Sequence, residues 1–359
     1  MSIKEVAIRT GLSTATVSRA INQSGLVKPQ TADKVRRAVR ELGYYPNTQA
    51  RALALGKSRI FGLIISDIVN PFFPEVVKSF EFAAIQCGYE VIIANTDYCA
   101  ERMGVCVRRI IERQVDGVAV LTSEIEPHLL EELSGRRLPL VFLDVGKSGP
   151  LISNIRVDYQ KGIAEAVRHI ISLGHERVSF ISGPTALKSA LTRRSAFLEC
   201  MSESGIVGRG SVVVEGNHKV DGGQIAMMRL LSSPIRPTAV LTSNDLTAIG
   251  AMGAIHRAGL RVPDDISVVG FDDIELSQFT QPPLTTIRLS RDEVGRKAFE
   301  ALFLAVEGTR HPGHEIKVST RLVLRESTAH VPTKTDRANC VSEFRKAPRA
   351  RKRKPPRSS

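Results

Sequence analysis

Most of what would give this chain a ready chemistry is missing from it. No apolar run approaches the roughly 20 residues that span a bilayer. Met1-Ser2-Ile3 leads straight into a helical pattern, without the basic and apolar regions of a secretory signal. These two absences predict a cytoplasmic protein with no membrane partner. Cysteine is scarce: Cys87, Cys99, Cys106, Cys200 and Cys340 form no C-x-x-C pair and have no histidine cluster beside them. That argues against a zinc site or a disulfide framework and for free thiols in a reducing compartment. No G-x-G-x-x-G follows a strand, and there is no Walker loop, no H-E-x-x-H and no G-x-S-x-G elbow. The motifs therefore imply no cofactor, no metal and no standard catalytic centre.

What is present is positive charge, unevenly spread. The chain carries +13 in total. Residues 1–59 hold eleven Lys/Arg against three acids, +8, and residues 337–359 hold nine against one, also +8. The body between them is left at −3. Such asymmetry points to a polyanionic partner for the ends and not for the middle. The last stretch, from Phe344 to Arg357, is basic and proline-rich, the composition of a disordered tail. It reads either as extra non-specific DNA affinity or as an inert solubilising extension.

Near the amino terminus, Ile3, Val6, Ala7 and Thr10 fall on one helical face. Gly11 permits a sharp turn with Leu12 as its core plug, and Ser13 is a good N-cap for a second helix. In that helix Val17, Ala20 and Ile21 face inward, while Thr14, Ala15, Ser18 and Arg19 face outward. A third helix is expected from Thr31, with Ala32, Val35, Val39 and Leu42 buried and Gly43 as its stop. The pattern fits a helix-turn-helix, whose second helix enters the major groove, and equally a generic three-helix bundle. In the first case Thr14 and Ala15 are small enough to approach a thymine methyl, and Arg19 can hold a guanine or a phosphate.

From Ile60 onward apolar strands alternate with amphipathic helices. Strands are expected at 60–66, 90–95, 117–121, 138–143, 177–182, 211–214, 238–242 and 266–270. Helices are expected at 74–87, 159–173, 189–204, 221–231, 245–258 and 291–306, among others. This predicts an α/β body of one or two lobes, with parallel sheets and a pocket at the strand tips. Pattern alone leaves an enzyme open.

Two longer runs are more specific. The first is Lys4-Glu5-Val6-Ala7, Gly11-Leu12-Ser13, Thr16-Val17-Ser18-Arg19 and Asn22, continued by Leu42-Gly43-Tyr44-Tyr45-Pro46-Asn47. The second comprises Asn70-Pro71-Phe72-Phe73, Leu173-Gly174-His175, Asn244-Asp245, the run from Val268 to Asp273 and Pro282-Pro283-Leu284-Thr285-Thr286-Ile287. Over about residues 3–328 the chain resembles the lac repressor/GalR family. The resemblance implies a three-helix reader over 1–45, a hinge helix and linker over 46–59, an effector-binding and dimerisation body over 60–330, and a basic tail over 331–359. The body would resemble a two-lobed periplasmic binding protein, with lobes of about 60–156 plus 289–316 and 157–288 plus 317–330, joined by three crossovers. The implied function is an allosteric, sequence-specific repressor, homodimeric and held on the nucleoid by a pseudo-palindromic double-stranded DNA operator.

By the same resemblance, DNA contacts fall on Thr14, Ala15, Thr16, Ser18, Arg19 and Asn22. Asn47, Ala50, Arg51 and Leu53 add those of the hinge, with Leu53 as a minor-groove wedge. A small, sugar-like effector would meet Asp67, Asn70, Phe72, Phe73 and Asp144 from one lobe, and Ser189, Arg193, His218, Asn244 and Asp272 from the other. Asp67 and Asp272 are also placed to cap the helices that follow them, and Phe72 or Phe73 to pack as core. Two departures stand out. Gly216-Asn217-His218 replaces the family's frequent Gly-Asp-aromatic, and Ala196-Phe197 replaces a frequent Gly-Phe. Two other classes compete: a solute-binding protein, which the attached reader disfavours, and a sugar-modifying enzyme with a DNA-binding appendage, which turnover of a ligand would reveal.

Overall fold

The structure is a computed structural model, and it describes residues 2–21, 26–44, 56–122, 127–206, 212–308 and 313–331. The chain divides into two compact units, Met1–Ile60 with Gln114–Asp116, and Phe61–Arg113 with Gly117–Ser359.

In the first unit α1 (Ile3–Thr10), α2 (Thr14–Ile21) and α3 (Pro29–Glu41) follow the predicted periodicity. Gly11 adopts φ +64°, and Leu12 N–H reaches back to the Ala7 carbonyl at 3.1 Å, closing α1. Ser13 Oγ then accepts the Thr16 N–H at 3.1 Å and opens α2. The third helix starts two residues earlier than expected, because Pro29 supplies its first turn without needing an N–H partner. Gly43, at φ +58°, lets Tyr44 N–H reach Val39 O at 3.0 Å and end it. Val6, Ala7, Val17, Ala20, Val35 and Ala38 form the small core, with Ile3, Leu12, Ile21 and Val39 at its edge. Beyond Gly56, the Asp116 carboxylate gathers Ser58 N–H at 2.8 Å, Ser58 Oγ at 2.9 Å and Arg59 N–H at 2.8 Å.

The second unit is built on β1 (Ile60–Ile65), β2 (Glu90–Asn95), β3 (Gly117–Leu121), β4 (Leu140–Leu143), β5 (Ile152–Asp158), β6 (Val178–Ser182), β7 (Val213–Glu215), β8 (Ala239–Thr242), β9 (Ser267–Asp272), β10 (Thr285–Leu289) and β11 (Glu315–Val323). Its helices are α4 (Phe72–Gln86), α5 (Ala100–Glu112), α6 (Pro127–Gly135), α7 (Tyr159–Ser172), α8 (Lys188–Glu203), α9 (Val220–Leu231), α10 (Asp245–Arg257) and α11 (Arg291–Glu307). The strands run in the order β2-β1-β3-β4-β5-β11-β10-β9-β8-β6-β7. One strand serves both halves: residues 315–319 of β11 pair in parallel with β5, and residues 320–323 pair antiparallel with β10. The chain thus passes between the halves after β5, after β10 and within β11. Each half is an α/β layer with apolar strands at its centre, such as Val118, Ala119 and Val120 in β3 and Val268 and Val269 in β9.

β5, β10 and β11 escape the apolar-run criterion because they bury hydroxyls and amides. Ser153, Asn154, Thr285, Thr286 and Thr320 are all enclosed. Helix α4 begins at Phe72 rather than Pro74; a proline is tolerated in the first turn, so Phe72 and Phe73 belong to the helix. Among the described residues no helix is long and apolar enough to cross a membrane.

Candidate functional site

The outer face of α2 presents Thr14, Ala15 and Arg19 exposed, with Thr16 and Ser18 half-buried at its margin. Thr16 Oγ1 lies 2.9 Å from Ser13 Oγ, so it strengthens the cap as well as bordering the face. Small side chains in the first turn of a short helix, with one long cation a turn further along the same face, are what groove entry requires. Asn22 lies outside the described residues, as do Asn47, Ala50, Arg51 and Leu53 and with them the hinge helix.

In the second unit nine of the ten predicted ligand residues converge. Asn70, Phe72, Phe73, Asp144, Ser189, Arg193, His218, Asn244 and Asp272 line one cavity. Asp67 does not line it: its carboxylate accepts the Val69 N–H at 2.9 Å within its own turn. Tyr98, Tyr159, Ser66, Thr122 and Leu289 also line the cavity. Tyr98 follows Asp97 through consecutive left-handed residues at φ +52° and +55°, a geometry no periodicity reveals. Tyr159, the first residue of α7, had a signal of a kind. An aromatic just beyond Asp158, where one lobe hands the chain to the other, is positioned to face the cleft.

Arg193 is the centre of the arrangement. Its guanidinium lies 4.9 Å from the Tyr159 ring centroid and 4.4 Å from that of Phe271. It donates to the Ser243 carbonyl at 2.7 Å, while its buried Nε has no protein partner. Asp272 is also buried, and desolvation pushes its carboxyl up to about 7 against the opposing pull of Arg193 and Arg291. Asp144 is raised by burial too, although Val157 N–H donates to it at 2.9 Å and Tyr159 OH at 2.8 Å. Behind the cavity, Asp245 accepts from Ile274 N–H at 2.8 Å and Thr286 Oγ1 at 2.5 Å, and burial raises it strongly.

Beside Arg193, and sharing Ser243 with it, is His218, at φ +62°. Its Nε2 lies 2.9 Å from Ser243 Oγ, and burial, reinforced by Arg193, lowers it to about 3. The ring is therefore neutral at physiological pH. It fits because residue 183 is glycine; a Cβ there would stand 1.9 Å from Nε2. Asn244 caps α10 by accepting Thr247 N–H at 3.0 Å, and its amide holds the His218 carbonyl at 2.9 Å. Across the mouth the Tyr98 ring lies 5.9 Å from His218, and Lys219 lies 3.4 Å from Asp97.

Comparison with known proteins separates the readings left open above. Residues 2–47 match the family described as bacterial regulatory proteins, lacI family, and residues 167–328 match the periplasmic binding protein-like domain. The HTH-type transcriptional repressor PurR of Photobacterium profundum is 34% identical over 327 residues, which is 91% of this chain and 98% of that protein. The chain belongs to the lacI family. A crystal structure of the lac repressor dimer bound to operator and the anti-inducer ONPF superimposes with a TM-score of 0.80 at 29% identity, covering 92% of this chain and 99% of that one. A LacI family transcriptional regulator from Enterococcus faecium with bound ribose gives 0.69 at 26% identity, over 76% of this chain and all of that one. This member of the lacI family is a DNA-binding transcriptional repressor with a ligand-binding body, not an enzyme.

Proposed function

We propose that the cavity takes a small polyhydroxylated, sugar-like effector, and that its occupancy controls how a homodimer holds a pseudo-palindromic operator. The observation that carries this reading is Arg193. A buried guanidinium packed against two rings, with one N–H that no protein atom accepts, is a donor that a ligand in the cavity can engage. Asp272 and Asp144 beside it accept from hydroxyls, and Phe72 and Phe73 offer apolar faces to ring carbons. His218 adds a polar, uncharged wall, with its Nε2 on Ser243. The ribose-bound neighbour supports the same class.

The two lobes act as the moving parts. One is the half that ends with β5 and residues 315–319 of β11, the other the half built on β6 to β10 and residues 320–323, and ligand contacts drawn from both make closure depend on occupancy. The hinge expected over 46–54 would relay that closure to the reader, with Leu53 as wedge and Asn47, Ala50 and Arg51 as further DNA contacts. Exposed Phe82 and Ile85 on α4 and Ile93 on the edge strand β2 give the body an apolar face for a second copy. The protein works in the cytoplasm on the nucleoid.

A thermal-shift screen of the full chain against sugars, sugar acids and flat heteroaromatic rings tests the ligand class. Stabilisation by a sugar, lost in Arg193→Met, is expected. Hits confined to heteroaromatic rings overturn the polyol reading. Selection from random duplexes tests the other half, with a palindromic site bound ~10³-fold over random DNA as the expected result.

A further inference from the structure

Asp272 sits on a turn that its neighbours hold in an unusual backbone conformation. It sits at φ +108° and Asp273 at φ +55°, conformations that cost side-chain-bearing residues energy and persist only where neighbours enforce them. The Asp273 carboxylate is gripped by Arg288 at 2.5 Å and Arg325 at 2.6 Å, which fixes the turn from the side of β10 and the chain after β11. Its carbonyl accepts from a third arginine, Arg291, at the start of α11. The same Arg291 guanidinium pairs with Glu75 of α4 at 2.7 Å and is largely enclosed.

Helices α4 and α11 are themselves locked together. Gly295 lets them touch backbone to backbone; a Cβ there would stand 2.4 Å from the Val76 carbonyl. Ser79 Oγ adds bonds to the Asp292 carbonyl and carboxylate at 2.9 and 2.8 Å. The first turn of α4 carries Phe72 and Phe73 into the cavity. A single side chain therefore connects the turn bearing Asp272 to the helix pair bearing the opposite wall.

We propose that Arg291 is a positioning residue of the ligand site: it holds the Asp272–Asp273 turn in its left-handed backbone and fixes Asp272 relative to the Phe72–Phe73 wall. This rests on reading the cavity as the effector site. Arg291 also acts on the Asp272 carboxylate through space, together with Arg193 from α8 and against Asp245 from α10.

The test uses the full chain grown with aspartate carrying 13C at the side-chain carboxyl, with the Asp272 resonance assigned through Asp272→Asn. Arg291→Met keeps the apolar stem and removes the charge and both hydrogen bonds. It is expected to raise the Asp272 midpoint by about one pH unit, and Arg291→Lys to restore most of the shift. A midpoint in Arg291→Met unchanged from wild type overturns the proposal, as does a shift that Arg291→Lys fails to reverse. Should Arg291→Met not fold, Arg291→Gln is read by the same criteria. Calorimetric titration with D-ribose forms the second arm: affinity is expected to drop about tenfold in Arg291→Met and to return in Arg291→Lys. If the wild type takes neither ribose nor any sugar of the thermal-shift screen, the sugar reading fails, while the Asp272 titration still decides on Arg291.

Discussion

The reader and the ligand cavity are built on opposite plans. The reader buries a handful of carbons, Val6, Val17, Val35 and their neighbours, and sends Thr14, Ala15 and Arg19 outward. The cavity does the reverse: it encloses Arg193, Asp272, Asp144 and His218 among Tyr159, Phe271 and Phe72. A DNA surface is large and already charged, so groups that read it remain hydrated until they dock. A small ligand offers few atoms, so each group that grips it is desolvated in advance, which shows in the raised carboxyls and the lowered imidazole.

That contrast is sharpest under a substitution in the reader's core. Val17→Asp buries an unpaired carboxylate in a three-helix core that has little else to hold it. Operator binding is expected to vanish while the ligand-induced thermal shift of the body survives. Joint loss of both in a DNA-binding assay and a melting scan would show that the two plans are not independent.

The second largest effect is on pH. Asp272 titrates near 7 in the folded chain and near ~3.9 unfolded. The folded state holds the extra proton between those values, so stability falls as pH rises from about 4 to about 7. The shift corresponds to at most ~4 kcal/mol. His218 has the other sign: with a folded value of about 3 against ~6.5 unfolded, its contribution rises with pH over that window. Asp144 and Asp245, both raised, work in the direction of Asp272. Denaturant melts from pH 4 to 7 should therefore change slope in opposite senses in Asp272→Asn and His218→Gln. Equal slopes in the two variants would contradict the assignment.

Next comes Arg193→Met, which removes a charged donor from the ligand. It is expected to weaken effector binding about 100-fold, the loss of ~3 kcal/mol carried by hydrogen bonds to a charged group, and to leave effector-free operator affinity unchanged. The smallest effect is at the reader's surface. Arg19→Met should cost roughly 1–3 kcal/mol of discrimination at one base position with no change in melting temperature, since the side chain is exposed. A uniform loss across all sequences, with a flatter salt dependence, would instead assign Arg19 to a phosphate.

The same contrast explains what could be read from the sequence. Periodicity located α1, α2 and most of α3, because a carbon core on one helical face repeats at a fixed interval. It also found the strands made of continuous apolar residues. It could not find β5, β10 or β11, where buried Ser153, Asn154, Thr285, Thr286 and Thr320 interrupt the apolar residues. The cavity residues came from the family resemblance rather than from spacing, and the structure gathers nine of them while turning Asp67 into its own loop. Tyr98 was invisible because two consecutive left-handed residues put it there. Arg291 lies outside the cavity lining, and its significance depends on Glu75 and Asp273, which are far apart in the chain.

The hydrogen bond from Tyr159 to Asp144 has a practical use. The chain contains no tryptophan and five tyrosines, and two of those five, Tyr98 and Tyr159, line the cavity. Phenol emission in this protein has no indole to drain into, and a phenol bonded to a carboxylate is dim. A ligand that draws Asp144 away from Tyr159 should brighten it, so the unlabelled protein carries its own optical gauge of whether the cavity is filled.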